Sequence, residues 1–206
     1  MKRITLILII VLLFSIIFFF SACSKTGSKK SSVKGAVKVS SVIDGDTFMI
    51  GGKKKVRLLG IDAPAVPDEK TQRELAKQGK NLMEVRKQGR LARNFLKKLI
   101  NKKEIKLEYD VQKEDKDGRT LAYVYKLYCS KCKMNITEEA KEIYRFEGEN
   151  IYLFLNAFIV QWGYAVPSST PPNTKYDELF MKLYQEAREN ERGLWKPPQQ
   201  RKPWRK

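Results

Sequence analysis

Three short segments of the sequence carry carboxylates and basic side chains at spacings that suit phosphate chemistry. They are Asp44-Gly45-Asp46 on a tight turn, Arg57 and Asp62 at the ends of a strand and its exit loop, and Asp115, Lys116 and Arg119 around a second glycine turn. Carboxylate oxygens suit a hard cation such as Ca²⁺, and arginines bind phosphate oxygens in bidentate pairs. Together these groups could hydrolyse a phosphodiester. Taken singly, Asp-Gly-Asp is most often just a turn, and a strand arginine most often pairs with a neighbouring carboxylate.

The composition narrows the chemistry that such residues could perform. The chain of 206 residues contains no histidine, which excludes serine–histidine and cysteine–histidine catalysis and histidine metal ligands. Acid–base chemistry would therefore use carboxylates, lysine, tyrosine or a water bound to a metal ion. Lysine and arginine number 41 against 23 acidic residues, a formal net charge of +18. That charge suits a polyanionic partner, although lysines that only maintain solubility would give the same excess.

The elements that must position these residues follow an α+β order. The predicted strands lie within 35–61, over 104–110 and over 119–126, and the predicted helices over about 72–100, over 153–162 and from a cap at Thr174 to Gly193. The first helical stretch is interrupted by Gly79 and Gly89, and residues 127–150 show no clear period and look like an insertion. A small closed barrel with helices on its side and base fits this order.

The first 22 residues have the pattern of an export signal. A basic start, Lys2-Arg3, precedes an apolar run over 4–20, and the following Ser-Ala-Cys resembles a bacterial lipoprotein signal cleaved before Cys23, which would then carry a lipid. A plain secretory signal and an uncleaved N-terminal membrane helix are the alternatives. In each case the protein would act outside the cytoplasmic membrane, anchored to it or secreted, with 23–35 as a flexible basic tether.

The folded domain is expected over 36–196, followed by a basic tail over 197–206, and a monomer is expected. Cys129 and Cys132 lie three positions apart in the segment without a clear period. Two thiolates without histidine are half of a zinc site, so a local disulfide is the default in an oxidising compartment.

The spaced motifs closely resemble those of the staphylococcal nuclease (thermonuclease) family. The segments that carry the resemblance are Val42–Thr47, Val56–Pro64 and Asp115–Tyr123, followed by Asn156-Ala157, Trp162–Ala165 and Arg192–Trp195. They cover roughly 36–196 and occur in the family's order. The resemblance implies an OB-fold, a five-stranded β-barrel with about three flanking helices, and a Ca²⁺-dependent nuclease that acts on DNA and RNA.

The resemblance also implies a role for individual residues at the site. Asp46 and Asp62 would bind the calcium ion with the Ala63 backbone carbonyl, and Asp44 would lie behind them. Two catalytic arginines, Arg57 and Arg119, would hold the scissile phosphate, with the second also assisting the leaving oxygen. Lys116 would lie near a terminal phosphate.

The sequence departs from the family where the attacking water is activated. The family has a glutamate at the position of Ala65, and an alanine can neither position nor deprotonate a water. Asp68 and Glu69 are candidate substitutes, although a Pro-rich extended loop would place them roughly 9–12 Å further along, at about 3.1 Å per residue. Loss of general-base help costs about 10²–10⁴-fold in rate, so hydrolysis would be slow rather than absent. Loop tyrosines of the family are replaced as well, which leaves Tyr164 or Tyr176 to contact a base.

Two functions from different classes remain open on the sequence alone. The first is a membrane-tethered extracellular endonuclease that uses in-line attack by water. The second is a non-catalytic nucleic-acid-binding lipoprotein that lost its general base. A third, binding of lipid headgroups, accounts for the charge but not for the motifs.

Overall fold

The computed structural model describes residues 35–132 and 137–201, and every structural statement below concerns those residues. The strands, in chain order, are β1 (Val37–Val42), β2 (Thr47–Ile50), β3 (Lys54–Leu58), β4 (Ile61–Asp62), β5 (Glu104–Glu108), β6 (Thr120–Ser130), β7 (Tyr144–Glu147), β8 (Asn150–Phe154) and β9 (Val166–Pro167). The helices are α1 (Glu69–Lys77), α2 (Leu82–Ile100), α3 (Glu138–Lys141), α4 (Leu155–Gln161) and α5 (Asp177–Glu189).

Five of the strands close a barrel. The pairing runs from β1 to β2, β3, β6 and β5, and β5 returns to β1. The β3–β6 pair is parallel and the others are antiparallel. Alternate residues of the strands point inward and are fully buried, including Val39, Phe48, Val56 and Leu107. The predicted α+β fold with a five-stranded OB-like barrel is therefore confirmed.

The helical stretch predicted over 72–100 is two helices. Gly79 has a φ of +68° and lies in the loop between α1 and α2, whereas Gly89 is buried inside α2. The prediction that Gly89 interrupts the helix was wrong, because its lack of a Cβ serves close packing. The prediction of Thr174 as a helix cap was wrong too, since α5 begins at Asp177 without a side-chain cap bond.

The segment 127–150, which shows no clear period in the sequence, contains regular structure. β6 continues beyond the barrel and forms an antiparallel extension in the order β6–β8–β7. A β-bulge between Leu127 and Cys129 shifts the register, which breaks the alternation that would have predicted a strand. Cys129 and Cys132 are joined by a disulfide at the tip of this extension.

The described residues leave out both ends of the chain. The predicted signal, Cys23, nearly all of the tether and half of the basic tail lie outside them. Within the part that is described, no helix is both long enough and apolar enough to cross a bilayer.

Candidate active site

The turn between β1 and β2 holds Asp46 in a nearly buried position, with 2% of the residue exposed. Its carboxylate accepts hydrogen bonds from the Thr47 hydroxyl at 2.7 Å and from the Ala63 backbone N–H at 3.1 Å. A Cβ atom at Gly45 would lie 2.7 Å from the Cβ atoms of both Ala63 and Ala92. Glycine therefore allows the turn to pack between the loop after β4 and α2, and this packing fixes Asp46.

Arg57 contacts two carboxylates from separate segments. The β2–β3 register sets Arg57 opposite Thr47, beside Asp46. Nη1 of Arg57 lies 3.3 Å from Oδ2 of Asp46, and Nη2 donates to Oδ1 of Asp62 at 2.7 Å. The Arg57 side chain is 24% exposed and that of Asp62 56%, so this cluster opens to solvent on one side.

Arg119 is held by the turn that precedes β6. Its Nε donates to Oδ2 of Asp115 at 2.7 Å, and its Nη2 donates to Oδ2 of Asp117 at 3.0 Å. The parallel register of β3 and β6 sets Arg57 beside Leu121, two residues after Arg119. Arg119 immediately precedes β6, so the two arginines lie near the same end of the β3–β6 pair.

We call Asp46, Arg57, Asp62, Asp115 and Arg119 the barrel-mouth site. The groups around Asp46 offset the burial of its carboxylate only in part. Burial raises the pKa of Asp46, and the charge of Arg57 and two hydrogen bonds offset that effect only in part. Burial alone would lower the pKa of Arg57, but Asp46, Asp62 and Asp115 outweigh it, so the net pKa is raised. The influence of Asp115 places the turn that holds Arg119 within electrostatic range of Arg57. The site therefore combines an incompletely compensated carboxylate with two arginines.

The donor atoms of the site fit a hard cation. Asp46 and Asp62 share one guanidinium, so their carboxylates face the same region. Among the described residues, no group of three or more Asp, Glu, Cys or His side chains could hold a metal ion by itself. A cation with six to eight oxygen ligands would therefore draw on backbone carbonyls and water besides these two carboxylates. The incompletely compensated charge of Asp46 favours binding of such a cation.

The loop after β4 has no carboxylate at position 65. Ala65 is exposed, and its backbone packs on α2 so closely that a Cβ at Gly89 would lie 2.4 Å from the Ala65 carbonyl oxygen. Asp68 caps α1 by accepting the Thr71 backbone N–H at 2.8 Å, and hydrogen bonding to Thr71 lowers the pKa of Asp68. The Glu69 side chain is 90% exposed and lies 3.8 Å from an arginine of the same helix. Both candidate substitute bases thus have contacts of their own on α1.

The predicted substrate-binding residues, and Asp44 predicted behind the metal ligands, lie in different environments. Lys116 is exposed in the turn beside Asp115, and Asp44 is half-buried. Tyr164 is 5% exposed and stacks on Phe95 with ring centroids 4.1 Å apart. Tyr164 therefore belongs to the core, where it cannot receive a base, whereas Tyr176 is half-buried next to β6.

A second charged cluster, which the sequence analysis missed, surrounds Glu108. This residue is 0% exposed and accepts from Arg145, from Lys175 at 2.5 Å and from the Tyr176 hydroxyl at 3.3 Å. The Tyr125 hydroxyl lies 3.1 Å from that of Tyr176 and also accepts from Arg145 at 2.8 Å. Burial alone would raise the pKa of Glu108, but the hydrogen bonds and charges of Lys175 and Arg145 lower it. We call these five residues the Glu108 cluster.

The sequence analysis marked Asn156 without predicting its role. Asn156 is 0% exposed; its Nδ2 donates to the Leu59 carbonyl at 2.9 Å, and its Oδ1 accepts the Val124 N–H at 2.9 Å. It thereby ties the end of β3 to β6 from the start of α4. A single amide within the apolar run Leu155–Val160 was the sequence signal for such a bridging role, because a buried amide must find hydrogen-bond partners.

Comparison with known proteins places the barrel in one family. The family model described as "Staphylococcal nuclease homologue" matches residues 55–197. A thermonuclease of Staphylococcus intermedius is 31% identical over 202 residues, covering 95% of this chain and 99% of its own length. A thermonuclease of Staphylococcus hyicus is 28% identical over 203 residues, with the same coverage of both chains. An uncharacterised protein of Bacillus anthracis is 31% identical over 169 residues, covering 80% of this chain and 61% of its own.

Proposed function

Because the chain belongs to the staphylococcal nuclease family, we propose that it is a nuclease whose barrel-mouth site hydrolyses phosphodiester bonds of DNA or RNA with Ca²⁺ bound. The observation that carries this proposal is the guanidinium of Arg57, which contacts both Asp46 and Asp62 and lies within electrostatic range of Asp115, the partner of Arg119. Two carboxylates for a cation and two arginines for a phosphate are then available at one place.

The arginines would bind the scissile phosphate. A guanidinium offers five N–H donors in a fixed plane, so Arg57 can hold a phosphate oxygen while its contact with Asp46 persists. Arg119 is oriented by Asp115, and its exposed contact with Asp117 can exchange for a phosphate oxygen. Donors fixed in this way stabilise the charge that grows on the phosphate and on the leaving oxygen during in-line attack.

Asp46, Asp62 and the Ala63 carbonyl would hold the calcium ion. The bound ion supplies charge neutralisation of the phosphate and acidification of a nearby water. The chain's own contribution is to fix Asp46 through Thr47, Ala63 and the Gly45 turn, so that this carboxylate needs no rearrangement when the ion binds.

We further propose that no side chain replaces the missing general base. Asp68 is engaged as a helix cap with a lowered pKa, which makes it a weaker base, and Glu69 points into solvent from the first turn of α1. The rate should then fall short of that of an enzyme with a glutamate at position 65 by about 10²–10⁴-fold.

The proposal includes where the protein acts. The pattern of residues 1–23 supports export and a lipid on Cys23, which would anchor a monomeric nuclease outside the cytoplasmic membrane. Mass spectrometry of the mature N-terminus tests this, and an unmodified Cys23 would contradict the lipid anchor.

A second candidate function is nucleic-acid binding without cleavage, favoured by Ala65 and by the net charge of +18. Such a protein would bind single strands with an affinity that falls steeply as salt rises, because neutralised phosphates release counterions. Under this alternative no cleavage should accompany the binding.

Digestion of single-stranded DNA by the full chain separates the two. We expect slow cleavage with Ca²⁺, none in EGTA, and a loss of about 10²–10³-fold in kcat for Arg119→Ala. Arg188→Ala is the matched control, since it removes one positive charge from the exposed side of α5. Cleavage that survives both EGTA and Arg119→Ala would refute the proposed site, and binding without cleavage would establish the alternative.

A further inference from the structure

Asn173 is a buried amide in a stretch of the chain that is otherwise exposed. The residue is 0% exposed, whereas its neighbours Pro172 and Thr174 face solvent. Its side chain makes two hydrogen bonds to the backbone of one distant residue. Oδ1 accepts the Gln112 N–H at 2.8 Å, and Nδ2 donates to the Gln112 carbonyl at 2.9 Å. A carboxamide that donates and accepts in this way reproduces one hydrogen-bonded pair of an antiparallel sheet, so Asn173 acts as a strand partner for the chain that leaves β5.

Gln112 begins the short segment that holds Arg119, which we call the arm (112–115). At the far end of the arm, the Asp115 N–H donates to the Arg119 carbonyl at 3.0 Å, and the Asp115 carboxylate accepts from the Arg119 N–H at 3.0 Å and from its Nε at 2.7 Å. Within the arm, the Gln112 side chain donates to the Glu114 carbonyl at 2.7 Å. The first three residues of the arm are exposed, so packing of their own side chains does not fix them. The contact with Asn173 is therefore the buried anchor of the arm.

The segment that carries Asn173 also reaches the cation side of the barrel-mouth site. Its first residues form β9, which pairs antiparallel with β4 and sets Val166 opposite Asp62. At its other end, the backbone N–H of Asn173 donates to the Thr170 carbonyl at 2.8 Å, which fixes the turn that presents the amide. We call 166–173 the linking segment. It joins the strand of a predicted cation ligand to the arm that holds the second arginine.

We propose that Asn173 is a positioning residue for the nuclease reaction, which fixes the arm of Arg119 relative to Asp62. One phosphate can then contact both the arginine and a cation bound at Asp62. The role of Arg119 in this proposal rests on the proposed function. Displacement of a catalytic group by about 1 Å can cost about 10²-fold in rate, even when the substitution lies away from the reacting atoms. Because Asn173 acts through Arg119, its effect on rate should depend on the presence of that arginine.

The test is a double-mutant cycle on hydrolysis of single-stranded DNA by the full chain with saturating Ca²⁺. Asn173→Ala should lower kcat by about 10–100-fold in the wild type, with KM changed by less than about threefold, because the lost interaction is made in the transition state. In the Arg119→Ala background the same substitution should lower kcat by less than about twofold, since the group that it misplaces is already absent.

Asn156→Ala is the matched control. Asn156 is also 0% exposed and also bonds two backbone groups, the Leu59 carbonyl and the Val124 N–H, both at 2.9 Å, but neither group belongs to the arm. Whatever loss of kcat this substitution causes should be the same factor with and without Arg119, as expected for a residue that only maintains the fold.

Hydrogen exchange gives a second readout that needs no activity. In EGTA, the backbone amides of 112–119 should exchange about tenfold faster in Asn173→Ala than in the wild type, whereas those of the barrel strands should not change. Gln112→Ala serves if Asn173→Ala does not fold, because it removes only the exposed side-chain bond to the Glu114 carbonyl. It should lower kcat by about two- to threefold, and again only when Arg119 is present.

Two results would overturn the proposal: an equal fractional loss of kcat in both backgrounds, or exchange of 112–119 that Asn173→Ala leaves unchanged. Failure of the nuclease proposal would appear separately. The wild type would then cleave no DNA with Ca²⁺, while faster exchange of 112–119 in Asn173→Ala would still show that Asn173 holds the arm.

Discussion

Two carboxylates, Asp46 and Glu108, are almost equally buried, with 2% and 0% of the residue exposed, yet their surroundings have opposite effects. Glu108 meets two cations and a hydroxyl, and its pKa is lowered despite burial. Asp46 shares a single arginine with Asp62, and its pKa is raised by burial. The partners of Glu108 thus outweigh the effect of burial on its pKa, whereas those of Asp46 offset that effect only in part.

This difference distinguishes a structural ion cluster from a candidate catalytic site. A buried charge that is fully paired contributes to a fixed arrangement, and removing it is costly because its partners lose their counter-charge and their hydrogen bonds. A buried carboxylate that is only partly paired is stabilised most when a cation binds beside it. Binding of the cation therefore stabilises the folded protein. We therefore expect changes at the barrel mouth to alter reaction rate, and changes in the Glu108 cluster to alter stability.

The largest expected effect comes from restoring a carboxylate at the barrel mouth. Ala65→Glu should raise the rate of single-stranded DNA hydrolysis by about 10²–10⁴-fold, since that is the usual worth of general-base help. Ala65 is exposed, so the longer side chain has room, and the unfolding free energy should change by less than about 0.5 kcal/mol. Initial rates with saturating Ca²⁺ measure the effect.

Val66→Glu, one residue further along the same loop, is the matched control for added negative charge. If Ala65→Glu and Val66→Glu gave the same small change, the loop would not present position 65 to the phosphate. An unchanged rate in Ala65→Glu alone would mean that Asp68 or Glu69 already serves as the base.

The next largest effect belongs to the Glu108 cluster. Glu108→Gln should lower the unfolding free energy by about 3 kcal/mol, because Arg145 and Lys175 lose their buried counter-charge. For a domain of this size the corresponding fall in Tm is roughly 6–12 °C. Urea unfolding followed by circular dichroism measures it, while the hydrolysis rate at low temperature should stay within about threefold of wild type.

Glu114→Gln is the control, because its contact with Lys54 at 3.8 Å is exposed and such pairs contribute at most about 1 kcal/mol. A Glu108→Gln protein of wild-type stability with little activity would reverse the roles assigned to the two carboxylates.

The contrast between these sites also marks what the sequence could predict. Asp46, Arg57 and Arg119 are flanked by short, spaced motifs, so a local pattern was enough to propose them as a site. The Glu108 cluster gathers residues of β5, β6, β7 and the loop before α5, and no local pattern joins residues so far apart along the chain. The strand bulge after Leu127 hid the β6 extension, because alternation is the signal from which a strand is predicted. Gly89 was predicted to break a helix because sequence shows the missing Cβ but not the Ala65 backbone packed against it.

The smallest expected effect, and the most direct comparison of the two carboxylates, is the dependence of stability on pH. The folded protein raises the pKa of Asp46, so it retains this proton where the unfolded chain has lost it, and stability falls as pH rises above the ordinary value of 3.8. The folded protein lowers the pKa of Glu108, so that contribution is present above the ordinary value of 4.5 and is lost as pH falls through the lowered pKa.

Asp46→Asn should remove only the first dependence, and near neutral pH in EGTA its unfolding free energy should lie within about 1 kcal/mol of wild type. Ca²⁺ should raise the Tm of the wild type and of the control Glu114→Gln, which removes an exposed acid outside the site, but not that of Asp46→Asn. If Asp46→Asn in EGTA lost as much stability as Glu108→Gln, the fold would already compensate both acids, and a cation would have no unmet charge at Asp46 to bind.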